Sequence, residues 1–405
     1  MANQWKLNKS IFGPLWKYII DDDITDIDWD GDSLWVSYAK GETERKDEPE
    51  ITQAFIDNFT QYVANHVSRP FNQVENVLSA ETDTLRITVA HESLVMSGRC
   101  FSIRKSMPKL RFTVHEALED GYCPEEFMHF LVNCVKLHKN FAFCGEPGHG
   151  KTECAKFLSS FIQPYEKVIT VEDTLEWHYK FINEGKRADE IKVNNNADYT
   201  KAIKLAVRLN PTWLMLSEAR STEVQYLFEG WSTGLHGMTT LHTDDVRNIP
   251  DRAVNMMDRG IDPDRMVNNI YSYLDIGVLL EMKTDPDGTK HRRIKQAAIF
   301  NREGEYNICT VIMENGQFNK NAVPKSLMDE FRLAGIENPF CSEDLTKRMQ
   351  DEDNGIFYGK KEHAWIEEDE NDEITIENSS YDENGLFGAA DFDMDDFVKS
   401  VNMRG

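Results

Sequence analysis

The chain has 405 residues, 40% apolar and 11% aromatic, enough to build buried cores in two or three domains. Its formal charge is −25, which argues against direct nucleic-acid binding, since that wants a basic face. No apolar run approaches the ~20 residues that span a bilayer, and the start, MANQWKLNKS, has no signal-peptide stretch. The seven cysteines form no C-x-x-C pair, against a zinc or disulfide framework, so a cytosolic chain with reduced thiols is expected.

Residues 11–40 read as a helix, IFGPLWKYIIDDD, followed by a hairpin. ITDIDWDGDSLWVSYAKG alternates apolar and polar residues around Asp30-Gly31-Asp32. EPEITQAFIDNFTQYVANHV is a second amphipathic helix. TLRITVAHESL and GRCFSIRK read as two more strands, closing a small α+β N-terminal domain over residues 1–106. A linker over 107–120 and two helices follow. From Asn140 strands alternate with helices, which favours a mostly parallel sheet. The strands are FAFCG, KVITVED, WLMLSEA and GMTTLH, and a helix covers ADYTKAIKLAVRLNP. DPDRMVNNIYSYLDIGVLLEMK, HRRIKQAAIF and NICTVIM complete this part, over residues 121–349. Beyond about residue 350 charge takes over. From Glu362 to Asp396 there are fourteen acidic residues and no Lys or Arg, so a tail over 350–405 is expected to be disordered.

The run Gly145-Glu146-Pro147-Gly148-His149-Gly150-Lys151-Thr152-Glu153 fits the P-loop pattern between a buried strand and a helix. The glycines let backbone N–H groups surround phosphate oxygens, and the helix N-terminus aims its positive end at them. Lys151 would contact the outer phosphates, and the Thr152 hydroxyl would hold Mg²⁺. The competing reading is a Gly-rich strand-to-helix turn. WLMLSEAR ends in Ser217 and Glu218; a carboxylate on a strand beside the P-loop strand could polarise an attacking water. Glu172, Asp173 and Glu176 follow another strand expected beside the P-loop, although three acids in five residues also suit a solvated loop. His242 ends an apolar strand, where an imidazole could hold a γ-phosphate; a lone histidine is as readily structural.

The order of these features resembles the hexameric traffic ATPases of bacterial secretion. That superfamily serves type II and type IV secretion, type IV and Tad pili, and archaeal flagella. VITVEDTLEW is similar to its aspartate box, RLNPTWLMLSEAR to its atypical Walker B segment, and TGLHGMTTLHT to its histidine box. IFGPLWKYIIDDDITDIDWDGDSLWV resembles the opening of its N-terminal domain, and AVPKSLMDEFRLAGIENP its ending. LRITV and GRCFSIRK resemble the strands that carry nucleotide-contacting arginines, which puts Arg86 and Arg104 at those positions. The likeness covers about residues 10–340 and is nearest the type IV secretion and Tad branch. A shortened N-terminal region and a missing tetracysteine motif separate the chain from the type II branch.

The resemblance implies an α/β chain, with a small α+β N-terminal domain ahead of a RecA-like P-loop ATPase domain with a mostly parallel sheet. It further implies ATP and Mg²⁺ as cofactors and Lys151, Glu218, Glu172 and His242 as catalytic residues. A homohexamer is implied, cytoplasmic and docked on an inner-membrane secretion or pilus complex. Three positions depart from the family. Ser217 stands where Gly is usual, Leu235 where the first box histidine belongs (with His236 one place on), and Asn210 where an arginine is frequent. The alternatives are a P-loop DNA motor, or an ATP-binding regulatory subunit with little turnover.

Overall fold

The computed structural model describes residues 9–194, 196–257, 260, 262–286 and 290–359. The chain divides into two compact units, Met1–Glu367 and Glu368–Gly405. The second unit, and with it most of the acidic tail, lies outside the described residues.

The first unit contains two sheets. One has six strands: β1 (Ile24–Trp29), β2 (Leu34–Tyr38), β3 (Thr43–Lys46), β4 (Val77–Glu81), β5 (Leu85–Ala90) and β6 (Cys100–Lys105). They run in the order β3-β2-β1-β6-β5-β4, antiparallel throughout. Alternation puts Ile27, Val36, Ile87 and Ile103 on one face, where they pack with Ile56, Phe59 and Val63 of the helix Gln53–His66. That helix starts at Thr52, whose side chain accepts a hydrogen bond from the Phe55 amide. The expected first helix is broken into Lys9–Phe12, a 3₁₀ turn Gly13–Leu15 and Trp16–Ile20. Gly13 has φ +48 and Pro14 follows, so the helix cannot run through.

The second sheet holds β7 (Phe141–Cys144), β8 (Val168–Glu172), β9 (Ala188–Lys192), β10 (Trp213–Leu216), β11 (Met238–Leu241), β12 (Ile276–Thr284), β13 (Lys290–Glu303), β14 (Tyr306–Glu314) and β15 (Gln317–Phe318). Its order is β15-β14-β13-β12-β7-β11-β10-β8-β9. Every pairing from β12 to β9 is parallel, and those from β12 to β15 are antiparallel. The chain is therefore a mixed α/β fold. β7, β10 and β11 are buried along their whole length, so they read as apolar runs rather than alternating strands. Phe141 and Phe143 enter a core on one face with Phe130 and Phe331; Ala142 and Cys144 enter another with Leu216 and Trp231.

Strand adjacency differs from the expectation. The strands ending before Glu218 and at Glu172 were both expected beside the P-loop strand. The sheet instead inserts β11 between β7 and β10, and β8 lies beyond β10. The helix Glu223–Ser232, which has no clear mark in the sequence pattern, returns the chain so that Met238–Leu241 pairs residue by residue with Phe141–Cys144. Gly237 permits that approach, because a Cβ there would lie 2.1 Å from the Leu214 carbonyl oxygen and 2.4 Å from Trp231 Nε1. The polar edge strands β3 and β9 carry no alternation to betray them.

Candidate functional site

The P-loop follows β7 and leads into the helix Lys151–Ser159. Gly145, Gly148 and Gly150 have φ of +138, +80 and +86, a region that a side chain strains. Glu146, Pro147 and Gly148 are exposed; His149 and Gly150 are half-buried. Lys151 Nζ donates to the carbonyl oxygens of Gly145 and Glu146, both at 3.0 Å, and lies 3.4 Å from His242 Nδ1. Burial holds the lysine below its usual pKa, against the opposing pull of Glu218 and Glu176. Glu153, next to Thr152, accepts from Lys156 at 3.0 Å and faces Arg111 at 3.8 Å.

The carboxyl ends of the parallel strands converge on this loop, the usual place for a ligand in such a sheet. His242, just past β11, has Nδ1 3.1 Å from the Gly145 oxygen and Nε2 3.0 Å from Glu218 Oε1. Glu218, just past β10, receives Arg220 on its other oxygen at 2.6 Å. Arg220 also donates to Asp173 Oδ2, past β8, at 3.0 Å. Lys151, His242, Glu218, Arg220 and Asp173 thus form one chain of polar contacts across four strand ends. Burial would raise the Glu218 carboxyl, but Arg220 first, then His242 and Lys151, outweigh it and hold its pKa below the ordinary value. Glu218 is therefore a carboxylate at neutral pH.

The three acids at the end of β8 and just beyond it take separate places: Glu172 is the strand's last residue, and Asp173 and Glu176 follow it. Glu172 is buried, and its Oε2 accepts from the amides of Glu176 and Trp177 at 2.8 and 2.9 Å. It fixes the loop that Glu176 occupies. Glu176 Oε2 accepts the Thr152 hydroxyl at 3.2 Å, and burial raises its pKa against Lys156 and Thr152. The Thr152 hydroxyl and Glu176 carboxylate offer hard oxygen donors of the kind Mg²⁺ takes alongside phosphate oxygens and water. Arg220 was not among the expected site residues, and Asp173 and Glu176 were named only as part of the acidic cluster in the segment similar to the aspartate box, without a role of their own.

Burial pushes the Glu172 carboxyl up to about 7, against the two amide hydrogen bonds. Between its unfolded value of 4.5 and about 7 the native state holds a proton that the unfolded chain has released. The contribution of Glu172 to stability must then fall as pH rises through that window, by on the order of 3 kcal/mol. Glu172→Gln keeps an acceptor for the amides and cannot ionise. In urea melts at pH 4.5 and 7.5 the wild type should lose stability relative to the variant across the interval, on top of the opposite trend that the buried His178 and His236, held below their usual pKa, give to both proteins. Equal changes in the two would mean Glu172 does not titrate there.

Arg86 and Arg104 are direct cross-strand partners on β5 and β6, flanked by Glu81 on β4 and Asp26 on β1. Arg104 Nε donates to Asp26 at 2.9 Å. That bond raises the arginine's pKa, and Glu176 acts on it in the same sense. Glu81, at the row's end, accepts from Thr174 at 3.0 Å and Lys192 at 2.6 Å. The arginine row accordingly faces the 172–176 loop.

Two of the three departures find local reasons, and nothing in the structure explains the serine at 217. Ser217 is buried, and its carbonyl accepts the Thr240 hydroxyl at 2.7 Å, tying β10 to β11. Leu235 packs on the apolar core. His236 lies at the opposite end of β11 from the loop, its ring tilted against those of His138 and Trp213. Asn210 has φ +53 directly after the helix Tyr199–Arg208, where a left-handed residue ends a helix and asparagine is tolerated.

An uncharacterized protein of Bacillus anthracis is 28% identical over 328 residues, covering 78% of this chain and 74% of that protein. The type IV secretion system protein VirB11 of Bartonella quintana is 28% identical over 135 residues, 32% of this chain and 37% of VirB11. The X-ray structure of the Legionella pneumophila ATPase DotB shares the fold, with a TM-score of 0.52 over 84% of this chain and 90% of DotB, at 13% identity. The model of the type II/IV secretion system proteins matches residues 73–280, just over half of the chain. That span holds β5, β6, the P-loop and every strand end around it, and the chain belongs to the type II/IV secretion system protein family.

Proposed function

We propose that this chain is an ATP-hydrolysing motor subunit of a bacterial secretion, conjugation or pilus machine. The observation that carries it is the chain of polar contacts from Lys151 through His242 to Glu218 over a P-loop, in a member of this family. Lys151 and the loop amides bind the β- and γ-phosphates. Glu218, kept ionised by Arg220, accepts a hydrogen bond from the attacking water and orients it. His242 holds Glu218 in place and connects it to the loop carbonyl of Gly145. Thr152 and Glu176 would hold the ion's water shell; Mg²⁺ supplies charge neutralisation on the phosphates.

The working unit is a RecA-like ATPase domain over about 121–349, joined by a linker over 107–120 to an N-terminal domain over 1–106. It acts as a homohexameric ring on the cytoplasmic side of an inner-membrane complex. No described helix is long and apolar enough to cross a membrane. Nucleic acid is not a direct ligand, and cargo moves through domain closing and opening.

Arg86 and Arg104 are the groups that feel the nucleotide from the N-terminal side. A charge-assisted hydrogen bond contributes roughly 1.5–3 kcal/mol, so two such arginines shift a closed population by more than about tenfold. Arg104→Ala is expected to collapse ATP turnover and weaken closure while the fold persists. Phosphate release is measured alongside solution scattering with and without a non-hydrolysable ATP analogue. Normal turnover with full closure would remove Arg104 from the mechanism.

A further inference from the structure

The hairpin of β12 and β13 continues beyond its pairing with β7, which ends at Leu279, out to Thr284 and Lys290. This outer part grips the turn after β2. Lys290 Nζ donates to the Gly41 carbonyl at 3.2 Å, and Met282 lies so close that a Cβ on Gly41 would be 3.1 Å from its methyl. Arg292 makes two further bonds from one guanidinium. Its Nη1 donates to the Ala39 carbonyl of the same turn, and its Nε donates to the P-loop carbonyl of Gly148 at 2.9 Å.

That second bond fixes a particular peptide. The carbonyl of Gly148 and the N–H of His149 belong to one trans peptide unit, so they point in opposite directions. With the oxygen held by Arg292, the His149 N–H points the other way and donates to the Glu146 carbonyl at 3.3 Å, closing a turn within the loop. Fixing that turn sets the backbone path on which a phosphate loop presents its amides. The space is tight, since a Cβ on Gly150 would sit 2.9 Å from Arg292 Cδ.

The charge of Arg292 is also unbalanced. Among the described residues no carboxylate lies within ion-pair distance of it. Its nearby cation, Arg111, faces Glu153 only at 3.8 Å. Burial and Arg111 lower its pKa while the more distant Glu153 opposes them, so the guanidinium stands beside the loop without a carboxylate in contact.

We propose that Arg292 is a positioning residue for the phosphate loop, orienting the Gly148–His149 peptide for nucleotide phosphates while tying that loop to the N-terminal turn Ala39–Gly41. The inference rests on reading residues 145–152 as a nucleotide-phosphate loop. It assigns to the β12–β13 arm a coupling role separate from that of Arg86 and Arg104.

The test uses the full chain carrying Arg292→Met, Arg292→Lys or, as control, Arg293→Met. Arg293 is the neighbour on β13 and pairs with Glu281 instead. Hydrogen exchange without nucleotide is followed in peptides covering 36–42 and 145–151. ADP affinity, and kcat and KM for Mg-ATP, are measured on the same proteins. Arg292→Met should speed exchange in both segments. It should weaken ADP and raise KM by about tenfold, the scale of one charge-assisted bond, with kcat changed by less than about threefold. Arg292→Lys should recover part of the affinity, and Arg293→Met should leave every readout unchanged. Unchanged exchange and affinity in Arg292→Met would overturn the proposal, as would equal losses in Arg293→Met or a loss confined to kcat. If the wild type neither binds nor hydrolyses ATP, the nucleotide reading fails, while the exchange data still decide whether Arg292 holds the loop to the turn.

Discussion

Lys151→Ala is expected to reduce ATP turnover by about 10²–10³-fold, the scale seen when one preorganised donor to a developing anion is removed. Lys151 is the P-loop's own cation; its ammonium already lies among the Gly145 and Glu146 carbonyls and beside His242. The fold should survive. The side chain is buried in a polar cradle, and removing it leaves two carbonyls that water can reach from the exposed residues Glu146 and Pro147. Steady-state phosphate release with a thermal melt separates the two effects. Turnover within about threefold of wild type would take the P-loop out of the chemistry.

Glu218→Gln should keep nucleotide affinity and lower hydrolysis by about 10²–10⁴-fold, the range for a positioned general base. The amide matches the carboxylate in shape but cannot take up a proton or hold water as firmly. It also loses the charge that pairs with Arg220 at 2.6 Å and with His242 at 3.0 Å, so His242 and Arg220 should become more mobile. Binding of a fluorescent ATP analogue, set beside single-turnover hydrolysis, reads both. If the variant hydrolyses normally, Glu176 becomes the candidate, because it already meets the Thr152 hydroxyl. Glu172, buried and bound to two amides, acts on the site through the loop it anchors.

The glycine loop over 145–152, with its flanking strand and helix, was legible in the sequence because its signal is local. Glycines at fixed offsets, a lysine and a threonine within eight residues need only the flanking strand and helix to work. The elements around it were readable where burial is one-sided, as in β1, β2, β5 and β6. What escaped was non-local. β7, β10 and β11 are buried on both faces, so nothing in their patterns says which neighbours they take. The insertion of β11 between β7 and β10 depends on the Gly237 approach to Leu214 and Trp231. Arg220 and Asp173 are 47 positions apart and meet only because β10 pairs with β8. Arg292 was invisible for the same reason, being 144 positions from Gly148. His236 looked like a displaced member of the histidine box, but the four residues of β11 separate it from His242 and carry it to the far end of the sheet.

The most direct measurement is multiple-turnover phosphate release by the full chain with Mg-ATP, with and without DNA. The family, the P-loop and the ionised Glu218 predict many turnovers per subunit, abolished by omitting Mg²⁺ and unchanged by DNA. A single turnover followed by arrest, or a rate that appears only with DNA, would contradict a secretion motor and favour a regulatory subunit or a DNA-driven motor respectively.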